Sequence, residues 1–284
     1  MSPFENKTVI ITGGTDGIGA AMALELCGRG ANVTILGRSP EKANVVIKAS
    51  TKLNGRIRAF TADFSVMRNV ERTVQDLMVD IDKVDFLVHG VGILLPRNEN
   101  TVEGLEKNFA VSYLSRFLLN EILFDNGRFK GDTKLLNIAA SAPEVPKFAQ
   151  MDFDDIDKVK ARTGTKGHGQ AQLANDIYTI IAADRYGLVS ISYGPGSVET
   201  NIRREFPKLA RMLMKPFFKP RKPHEVASQL AMILGDGEHS SARPYFYNKI
   251  GAFGPSEFLM DSSRQEDLLG VTLELIENAM AKDI

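Results

Sequence analysis

The sequence lacks the features that mark secreted, membrane-spanning and nucleic-acid-binding proteins. Its 284 residues include one cysteine, Cys27, and no tryptophan, and its acidic and basic side chains are equal in number, 35 of each. One cysteine cannot close an internal disulfide, which favours a reducing compartment. The balanced charge gives no electrostatic reason to bind nucleic acid, and no apolar run reaches the ~18 residues of a membrane span. We therefore expect a cytoplasmic protein with no membrane span and no nucleic-acid partner.

The sequence also offers little that could hold a metal ion. Its four histidines are His89, His168, His224 and His239, and they are scattered along the chain. Metal sites need several histidine, cysteine or carboxylate side chains at short, characteristic spacings. We predict no metal site.

What the sequence does contain is a regular alternation of short apolar runs and longer amphipathic stretches. Hydrophobic residues make up 43% and charged residues 25%, which is ordinary for a soluble protein with a full core. Strands are predicted over residues 8–12, 32–36, 57–61, 85–89, 135–139, 188–193 and 244–247. Helices are predicted over residues 17–27, 40–52, 67–80, 102–123 and 168–186. This alternation predicts an α/β, Rossmann-type doubly wound parallel sheet. We expect a single domain over residues 1–284, with a Rossmann core over 7–250 and a C-terminal helical extension over 251–284.

A glycine-rich loop joins the first predicted strand to the first predicted helix. It reads Thr-Gly-Gly-Thr-Asp-Gly-Ile-Gly over residues 12–19. Glycines let the backbone turn tightly and approach a pyrophosphate, and the helix N-terminus supplies free N–H groups. The strand before the loop and the helix after it are the context that this motif requires. The predicted cofactor-binding residues of the loop are Gly13, Thr15, Asp16, Gly17, Ile18 and Gly19.

The ends of the next three predicted strands extend the nucleotide site. Arg38 follows the second strand, where a positive charge suits the 2′-phosphate of NADP(H) and an acidic residue would suit NAD. Asp63 follows the third strand, in a place suited to adenine contact, and His89 and Gly90 end the fourth. The predicted contacts at these ends are Arg38, Ser39, Asp63, Phe64, His89 and Gly90. The expected cofactor is NADP(H).

These motifs resemble those of the short-chain dehydrogenase/reductase family, and within it the retinol-dehydrogenase-like branch. The resemblance covers about residues 7 to 250. Besides the glycine loop, it rests on Met-Asp-Phe-Asp-Asp-Ile at 151–156, Leu-Ala-Asn at 173–175 and Pro-Gly-Ser-Val-Glu-Thr at 195–200. In the family, the last of these turns contacts the nicotinamide carboxamide. The resemblance therefore implies further cofactor contacts at Pro195, Gly196, Val198 and Thr200.

The residues that perform the family's chemistry are replaced in this chain. The family uses an Asn, a Ser, a Tyr and a Lys, and this sequence has Ser112, Ala140, His168 and Gln172 at those positions. Ser141 could take the place of the serine only if the register shifts by one residue. In the family the tyrosine exchanges the substrate proton, while the lysine lowers the tyrosine pKa and holds the nicotinamide ribose. Since losing one oxyanion donor costs ~10²–10³ in rate, ordinary ketone reduction is not expected.

Three interpretations of the replaced site stay open. The first is hydride transfer to a pre-activated acceptor such as an iminium, which needs no proton delivered to oxygen. His168 could also donate a proton itself, because an imidazole titrates near ~6.5. The second is a non-redox acid–base enzyme of the isomerase, cyclase or dehydratase type, in which His168 and Gln172 share a helix face and Ser112, Tyr113 and Ser141 complete a pocket. The third is a catalytically inactive protein that binds a nucleotide or a partner.

The predicted substrate is a hydrophobic small molecule. Residues 199–220 interleave apolar and basic side chains and predict an amphipathic helix, in the region that covers the substrate pocket in the resembling family. Packing on the core, or contact with a membrane surface, would give the same pattern.

Two further segments leave the oligomeric state open. Leu105, Phe109, Tyr113 and Phe117 form an apolar stripe on the helix predicted at 102–123, which suits either a homodimer contact or core packing. The apolar pattern at 266–280 predicts a closing helix or part of a subunit contact.

Overall fold

The structure, a computed structural model, describes residues 2–145, 151–153, 164–209, 220–239 and 241–282. In these residues eight strands form one sheet, with the order β3-β2-β1-β4-β5-β6-β7-β8. Neighbours are parallel except for the β7–β8 pair, which is antiparallel. The strands are β1 (Thr8–Thr12), β2 (Asn32–Gly37), β3 (Arg56–Thr61), β4 (Phe86–His89), β5 (Lys134–Ile138), β6 (Val189–Gly194), β7 (Pro244–Asn248) and β8 (Ala252–Phe253). The predicted doubly wound α/β sheet is confirmed.

Helices cover both faces of the sheet and bury an apolar core on each side. They are α1 (Gly17–Gly28), α2 (Pro40–Ala49), α3 (Met67–Met78), α4 (Lys107–Phe109), α5 (Ser115–Asp125), α6 (Gly164–Tyr186), α7 (Pro223–Gly235), α8 (Glu257–Met260) and α9 (Ser262–Met280). The central strands β1, β4 and β6 are buried along almost their whole length, as a sheet covered on both faces requires.

The strand order reverses between β1 and β4. From β1 the chain runs outward through β2 to β3, and it then crosses back to β4 and continues the other way. Loops that leave neighbouring strands in opposite directions open a crevice at the carboxyl ends of those strands, which is where ligands bind in such sheets. The glycine loop after β1 and the His-Gly-Val-Gly segment after β4 border this crevice.

The predicted helix over 102–123 is divided in the structure. It begins at Lys107, because the Glu106 carboxylate accepts the Phe109 N–H at 2.7 Å and caps α4. Residues Ala110–Leu114 form a π-helical turn before α5 continues. A π turn contains an extra residue, re-aims the side chains around it and is often found at functional sites. Ser112 lies at its centre.

The C-terminal helix α9 packs against α3 and α6. The Tyr113 hydroxyl and the Thr272 hydroxyl are 2.9 Å apart, and Arg68 donates to the Met280 carbonyl at 2.5 Å. The stripe that the sequence assigned either to dimerisation or to the core is buried within this chain, with Leu105 5%, Phe109 2%, Tyr113 0% and Phe117 1% exposed. Core packing therefore accounts for the stripe, and the segment predicted at 266–280 is a closing helix.

The predicted helix over 199–220 does not begin where the pattern suggested. Asn201–Arg203 is a 3-10 turn, and residues 204–206 are not helical. Backbone bonds from Glu199 N–H to the Arg221 carbonyl at 2.9 Å and from Arg221 N–H to the Ser197 carbonyl at 3.0 Å join the two ends of this segment. Most of its apolar residues fall in 210–219, which lies outside the described residues, as do residues 154–156 of the loop that resembles the retinol-dehydrogenase-like branch.

Candidate active site

The glycine loop is a tightly packed cradle of backbone, with no room for a side chain at Gly13 or Gly19. Gly13 has φ +69°, and a Cβ on it would lie 2.7 Å from the carbonyl carbon of Gly90. A Cβ on Gly19 would lie 2.3 Å from the Gly13 carbonyl oxygen. The Gly13 N–H donates to the Leu36 carbonyl at 2.8 Å, which fixes the turn above β2. The loop therefore presents backbone and the start of α1 to the crevice, as a bound pyrophosphate requires.

Asp16 caps α1 and also joins three parts of the crevice. Its carboxylate accepts the Gly17 N–H at 2.8 Å and the Asn201 side-chain N–H at 3.0 Å, and it pairs with Lys42 of α2. Partial burial opposes the charge of Asp16, but the bonds to Lys42 and Asn201 outweigh this and hold its pKa below the usual range. Asp16 is thus a fixed negative charge beside the nucleotide loop.

The part of the crevice that the sequence predicts to hold an adenosine carries both signs of charge. Arg38 is exposed directly after β2, and Ser39 caps α2 by accepting the Lys42 N–H at 3.3 Å. Asp63 is exposed after β3 and accepts the Ser65 hydroxyl at 2.7 Å. The Phe64 side chain is only 5% exposed and belongs to the core, so only its backbone can face a nucleotide. Thr15 packs against the end of β2, where a Cβ on Gly37 would lie 2.7 Å from the Thr15 side chain.

His89 ends β4 as a buried, neutral side chain. Its Nδ1 is 3.3 Å from the Thr12 hydroxyl, and its Nε2 is 2.8 Å from the Asn120 Oδ1. Since an amide oxygen only accepts, Nε2 carries the proton and Nδ1 accepts from Thr12. Burial, and to a lesser extent the nearby charge of Arg116, lower the His89 pKa to about 3. His89 therefore stabilises the crevice floor and does not titrate near neutral pH.

The Pro-Gly turn after β6 lies against the start of α1. A Cβ on Gly17 would be 3.0 Å from the Thr200 methyl group, which places Thr200 next to the glycine loop. Gly196 has φ +68°, and Val198 forms an isolated bridge with Arg221. Thr200 thus lies next to the glycine loop, and Pro195, Gly196 and Val198 belong to the turn that leads from β6 to it.

His168 lies on α6 and is held by one specific hydrogen bond. Its Nδ1 is 2.8 Å from the Ile93 carbonyl oxygen in the segment after β4. A carbonyl oxygen can only accept, so Nδ1 carries the proton and Nε2 keeps its lone pair. Burial lowers the His168 pKa, the bond to Ile93 opposes this, and the positive charge of Arg116 lowers it further. The result is a neutral imidazole whose free nitrogen is a proton acceptor.

Of the other positions that the sequence analysis assigned to the catalytic set, Ser112 and Gln172 lie near His168. Ser112 is fully buried, and its hydroxyl accepts the Ile93 N–H at 3.2 Å. Gln172 is 8% exposed on α6, one turn after His168. Ala140 follows β5 in the place predicted for the serine. Ser141 is 3% exposed, and its hydroxyl has no hydrogen-bond partner among the described residues.

Tyr113 is placed away from this group. Its ring packs against Phe109, Phe117 and Tyr178, and its hydroxyl is bonded to Thr272 of α9. Burial raises its pKa above the usual range, so it stays protonated. The contacts give Tyr113 a packing role, and the proposed chemistry does not use it.

Sequence reasoning missed Arg116. This residue is 2% exposed and lies at the start of α5, just after the π turn. It donates to the Val91 carbonyl, to the Ile138 carbonyl at 3.0 Å and to the Asn175 side-chain oxygen at 3.3 Å. The signal that could have found it is a charged residue three positions after Tyr113, on the same apolar helix face.

Comparison with known proteins identifies the family. A profile described as short chain dehydrogenase matches residues 7–153, and the chain belongs to this family. An uncharacterised oxidoreductase of Schizosaccharomyces pombe is 30% identical over 221 residues, 74% of this chain. The chain spans only 65% of that relative's length. Retinol dehydrogenase 13 of Mus musculus is 29% identical over 97% of this chain and 85% of its own length.

Solved structures agree on the fold. An uncharacterised protein from Mycobacterium paratuberculosis matches with a TM-score of 0.75 and 19% identity over 96% of this chain and 94% of its own. A short chain dehydrogenase of Shigella flexneri, solved with NADP, has a TM-score of 0.64 and 18% identity over 87% of this chain and 99% of its own. Among the described residues of this protein, no helix is long and apolar enough to cross a membrane. The same residues contain no cluster of three or more side chains that could hold a metal ion.

Proposed function

We propose that this protein is an NADP(H)-binding enzyme that acts on a hydrophobic small molecule by atypical chemistry, with His168 as the proton acceptor. The observation that carries the proposal is the bond from His168 Nδ1 to the Ile93 carbonyl at 2.8 Å. This bond leaves an unshared electron pair on Nε2. By the family resemblance, His168 stands where the family has its tyrosine. The single cysteine favours a cytoplasmic location, and a homodimer is left to experiment.

The crevice residues suit NADP(H). Because Gly13 and Gly19 lack side chains, the loop can turn tightly against Gly90 and against itself, as a pyrophosphate-binding turn does. Arg38 would bind the 2′-phosphate, Asp63 and the Phe64 backbone would face the adenine, and Thr200 would face the nicotinamide end. When bound, NADPH supplies a hydride. The relative solved with NADP supports this assignment.

The chain's own residues then determine which reactions are accessible. With Gln172 in place of the lysine and Ala140 in place of the serine, the site has lost the two groups that ordinary ketone reduction uses at those positions. Hydride transfer to a pre-activated acceptor such as an iminium needs neither group. His168 would orient such an acceptor or take up a proton released from it, while the apolar walls exclude water.

A second candidate is a non-redox acid–base enzyme of the isomerase, cyclase or dehydratase type. It is favoured by a specific observation, the buried Ser141 hydroxyl that has no partner among the described residues. A hydroxyl of that kind can bond a substrate oxygen while His168 Nε2 takes a proton from a neighbouring atom. Gln172 would complete the pocket wall.

The experiment that tests the proposal compares His168→Ala with a matched control, His224→Ala, which alters an exposed histidine on α7. Each variant is incubated with hydrophobic cyclic imines and the matching ketones, with and without NADPH, and products are followed by mass spectrometry and NADPH absorbance. We expect turnover that His168→Ala abolishes and His224→Ala leaves intact. NADPH-independent conversion would favour the second candidate. Turnover that survives His168→Ala would remove His168 from the mechanism, and nucleotide binding with no conversion across the panel would favour the non-catalytic interpretation.

A further inference from the structure

Arg116 joins the ends of the two strands that border the crevice opposite the glycine loop. One guanidinium nitrogen, Nη2, donates to the carbonyl of Val91, which follows β4. The other, Nη1, donates to the carbonyl of Ile138, which ends β5, at 3.0 Å. The guanidinium also adjoins Gly92, where a Cβ would lie 3.7 Å from Nη2. This side chain therefore fixes the separation of the β4 and β5 loops just beneath the crevice.

The charge of Arg116 has no acidic partner in the part of the chain that the structure describes. None of the ion pairs there includes it, and its Nε makes no hydrogen bond. Burial lowers its pKa, but only to about 9, so it stays charged at neutral pH. A buried charge without a counter-ion is costly, and such a group is retained at a functional site more readily than in a purely structural core.

His168 lies close to this charge, because the Arg116 guanidinium contacts Val91 and Gly92, while His168 Nδ1 is bonded to the carbonyl of the next residue, Ile93. Ile93 and Ser112 face His168 from the segment after β4 and from the π turn, and neither of them is charged. The acidic groups on neighbouring elements are Glu106, whose carboxylate would meet a Cβ on Gly167 at 2.8 Å, and Asp176, about two turns further along α6. The Asp176 pKa is raised to about 7 by burial, so this carboxyl is about half ionised at neutral pH. Of these groups, Arg116 is the one whose positive charge lowers the His168 pKa.

We propose that Arg116 is a positioning residue of this site, which holds the ends of β4 and β5 together and places a fixed positive charge beside His168. This inference rests on the proposed role of His168 as proton acceptor. When His168 Nε2 takes a proton, the substrate O–H or C–H bond breaks and its electron pair remains on the substrate as an oxyanion or enolate. A positive charge in a low-dielectric surrounding stabilises that anion, while it also lowers the pKa of the imidazole that receives the proton. The substrate class is therefore a hydrophobic compound with a weakly acidic proton, such as a hydroxyl or a C–H next to a carbonyl, and this favours the acid–base candidate over hydride transfer to an iminium.

The test separates the charge of Arg116 from its hydrogen bonds. Arg116→Lys keeps the charge, and Arg116→Gln keeps N–H donors without the charge. The full chain, labelled with ¹³C-histidine and free of cofactor, is titrated by NMR. We expect the His168 midpoint to rise by at least half a pH unit in Arg116→Gln and to stay near the wild-type value in Arg116→Lys. His239, on which Arg116 has no effect, should not change in either variant, and neither histidine should move in the surface control Arg185→Met.

The phenol 4-nitrophenol then tests whether the crevice stabilises a bound anion. Its colour changes when it ionises, so the pH at which the bound phenol ionises can be measured by absorbance. Bound to the wild type or to Arg116→Lys, it should ionise at a lower pH than in water, and this shift should disappear in Arg116→Gln. Equal His168 midpoints in folded Arg116→Gln and wild type would overturn the inference. So would a phenol that does not bind or that ionises as it does in water. If Arg116→Gln does not fold, a loss of both effects in Arg116→Lys would also contradict it.

These measurements use neither NADPH nor the natural substrate. The titrations can therefore support or contradict the role of Arg116 even if the proposed function fails, for example if turnover survives His168→Ala.

Discussion

The imidazole of His168 and the main chain of Ile93 are joined by a 2.8 Å hydrogen bond, and this contact decides what the histidine can do. It fixes the ring, assigns the proton to Nδ1 and leaves Nε2 unprotonated. The N–H of the same Ile93 donates to the Ser112 hydroxyl at 3.2 Å. His168 and Ser112 are therefore coupled through one residue of the segment after β4.

Arg38→Ala should weaken NADPH binding. A charge-assisted hydrogen bond to a phosphate contributes ~1.5–3 kcal/mol, so the NADPH dissociation constant should rise about 10- to 100-fold. NADH lacks the 2′-phosphate, and its affinity should change little. The control is Arg56→Ala, at the start of β3 and so at the opposite end of that strand. Calorimetric titration measures both variants, and an unchanged NADPH affinity in Arg38→Ala would exclude the assigned phosphate contact.

Gly19→Ala should disturb the cradle, because its Cβ would lie 2.3 Å from the Gly13 carbonyl oxygen. We expect a loss of about 1–3 kcal/mol in the free energy of unfolding and markedly weaker NADPH binding. Gly28→Ala, in the same helix, is the matched control, since its Cβ would meet only the Leu53 side chain at 3.9 Å. Urea unfolding measures both. Similar stabilities for the two variants would contradict the close packing described for the loop.

The sequence predicted the sheet and the glycine loop because both depend on local patterns. Apolar runs fix the strands, and the glycine spacing fixes the turn before α1. The bond between His168 and Ile93 could not be predicted, since it joins residues 75 positions apart in the chain. The partners of Arg116 likewise could not be predicted, because they lie 22, 25 and 59 positions away in the chain. The apolar stripe at Tyr113 was visible, but only the position of α9 shows that it packs within the same chain.

Tyr113→Phe should affect stability and not the site. Removing the hydroxyl leaves Thr272 without its 2.9 Å partner, which should cost about 1 kcal/mol in the free energy of unfolding. NADPH affinity and the His168 titration should stay as in the wild type. A double-mutant cycle with Thr272→Val measures the coupling free energy between the two hydroxyls. Its size should be close to the loss of stability that Tyr113→Phe causes alone. A large change in nucleotide affinity would return Tyr113 to the candidate site residues.

Asp176 should make stability depend on pH. This carboxyl is buried, accepts the Ser192 hydroxyl at 2.5 Å and has its pKa raised by burial from 3.8 to about 7. Between those values the folded state holds a proton that the unfolded state has released, so stability falls as pH rises from about 4 to 7 and stays lower above 7.

Asp176→Asn keeps an acceptor for Ser192 but removes the ionisation. It should raise Tm at pH 8 by several degrees, on the order of 2–4 °C for each kcal/mol recovered, and the gain should shrink towards pH 4. Differential scanning calorimetry at pH 4, 6 and 8 gives the comparison. A gain that is the same at all three pH values would mean that Asp176 is not protonated in the folded protein near neutrality.

The most direct test of the account is a calorimetric titration of the purified wild-type protein with NADPH and with NADH. The intact glycine cradle, together with Arg38, predicts saturable binding of NADPH, at least about tenfold tighter than NADH, which corresponds to one charge-assisted contact. Binding of neither nucleotide would contradict the central claim that this crevice is a working NADP(H) site.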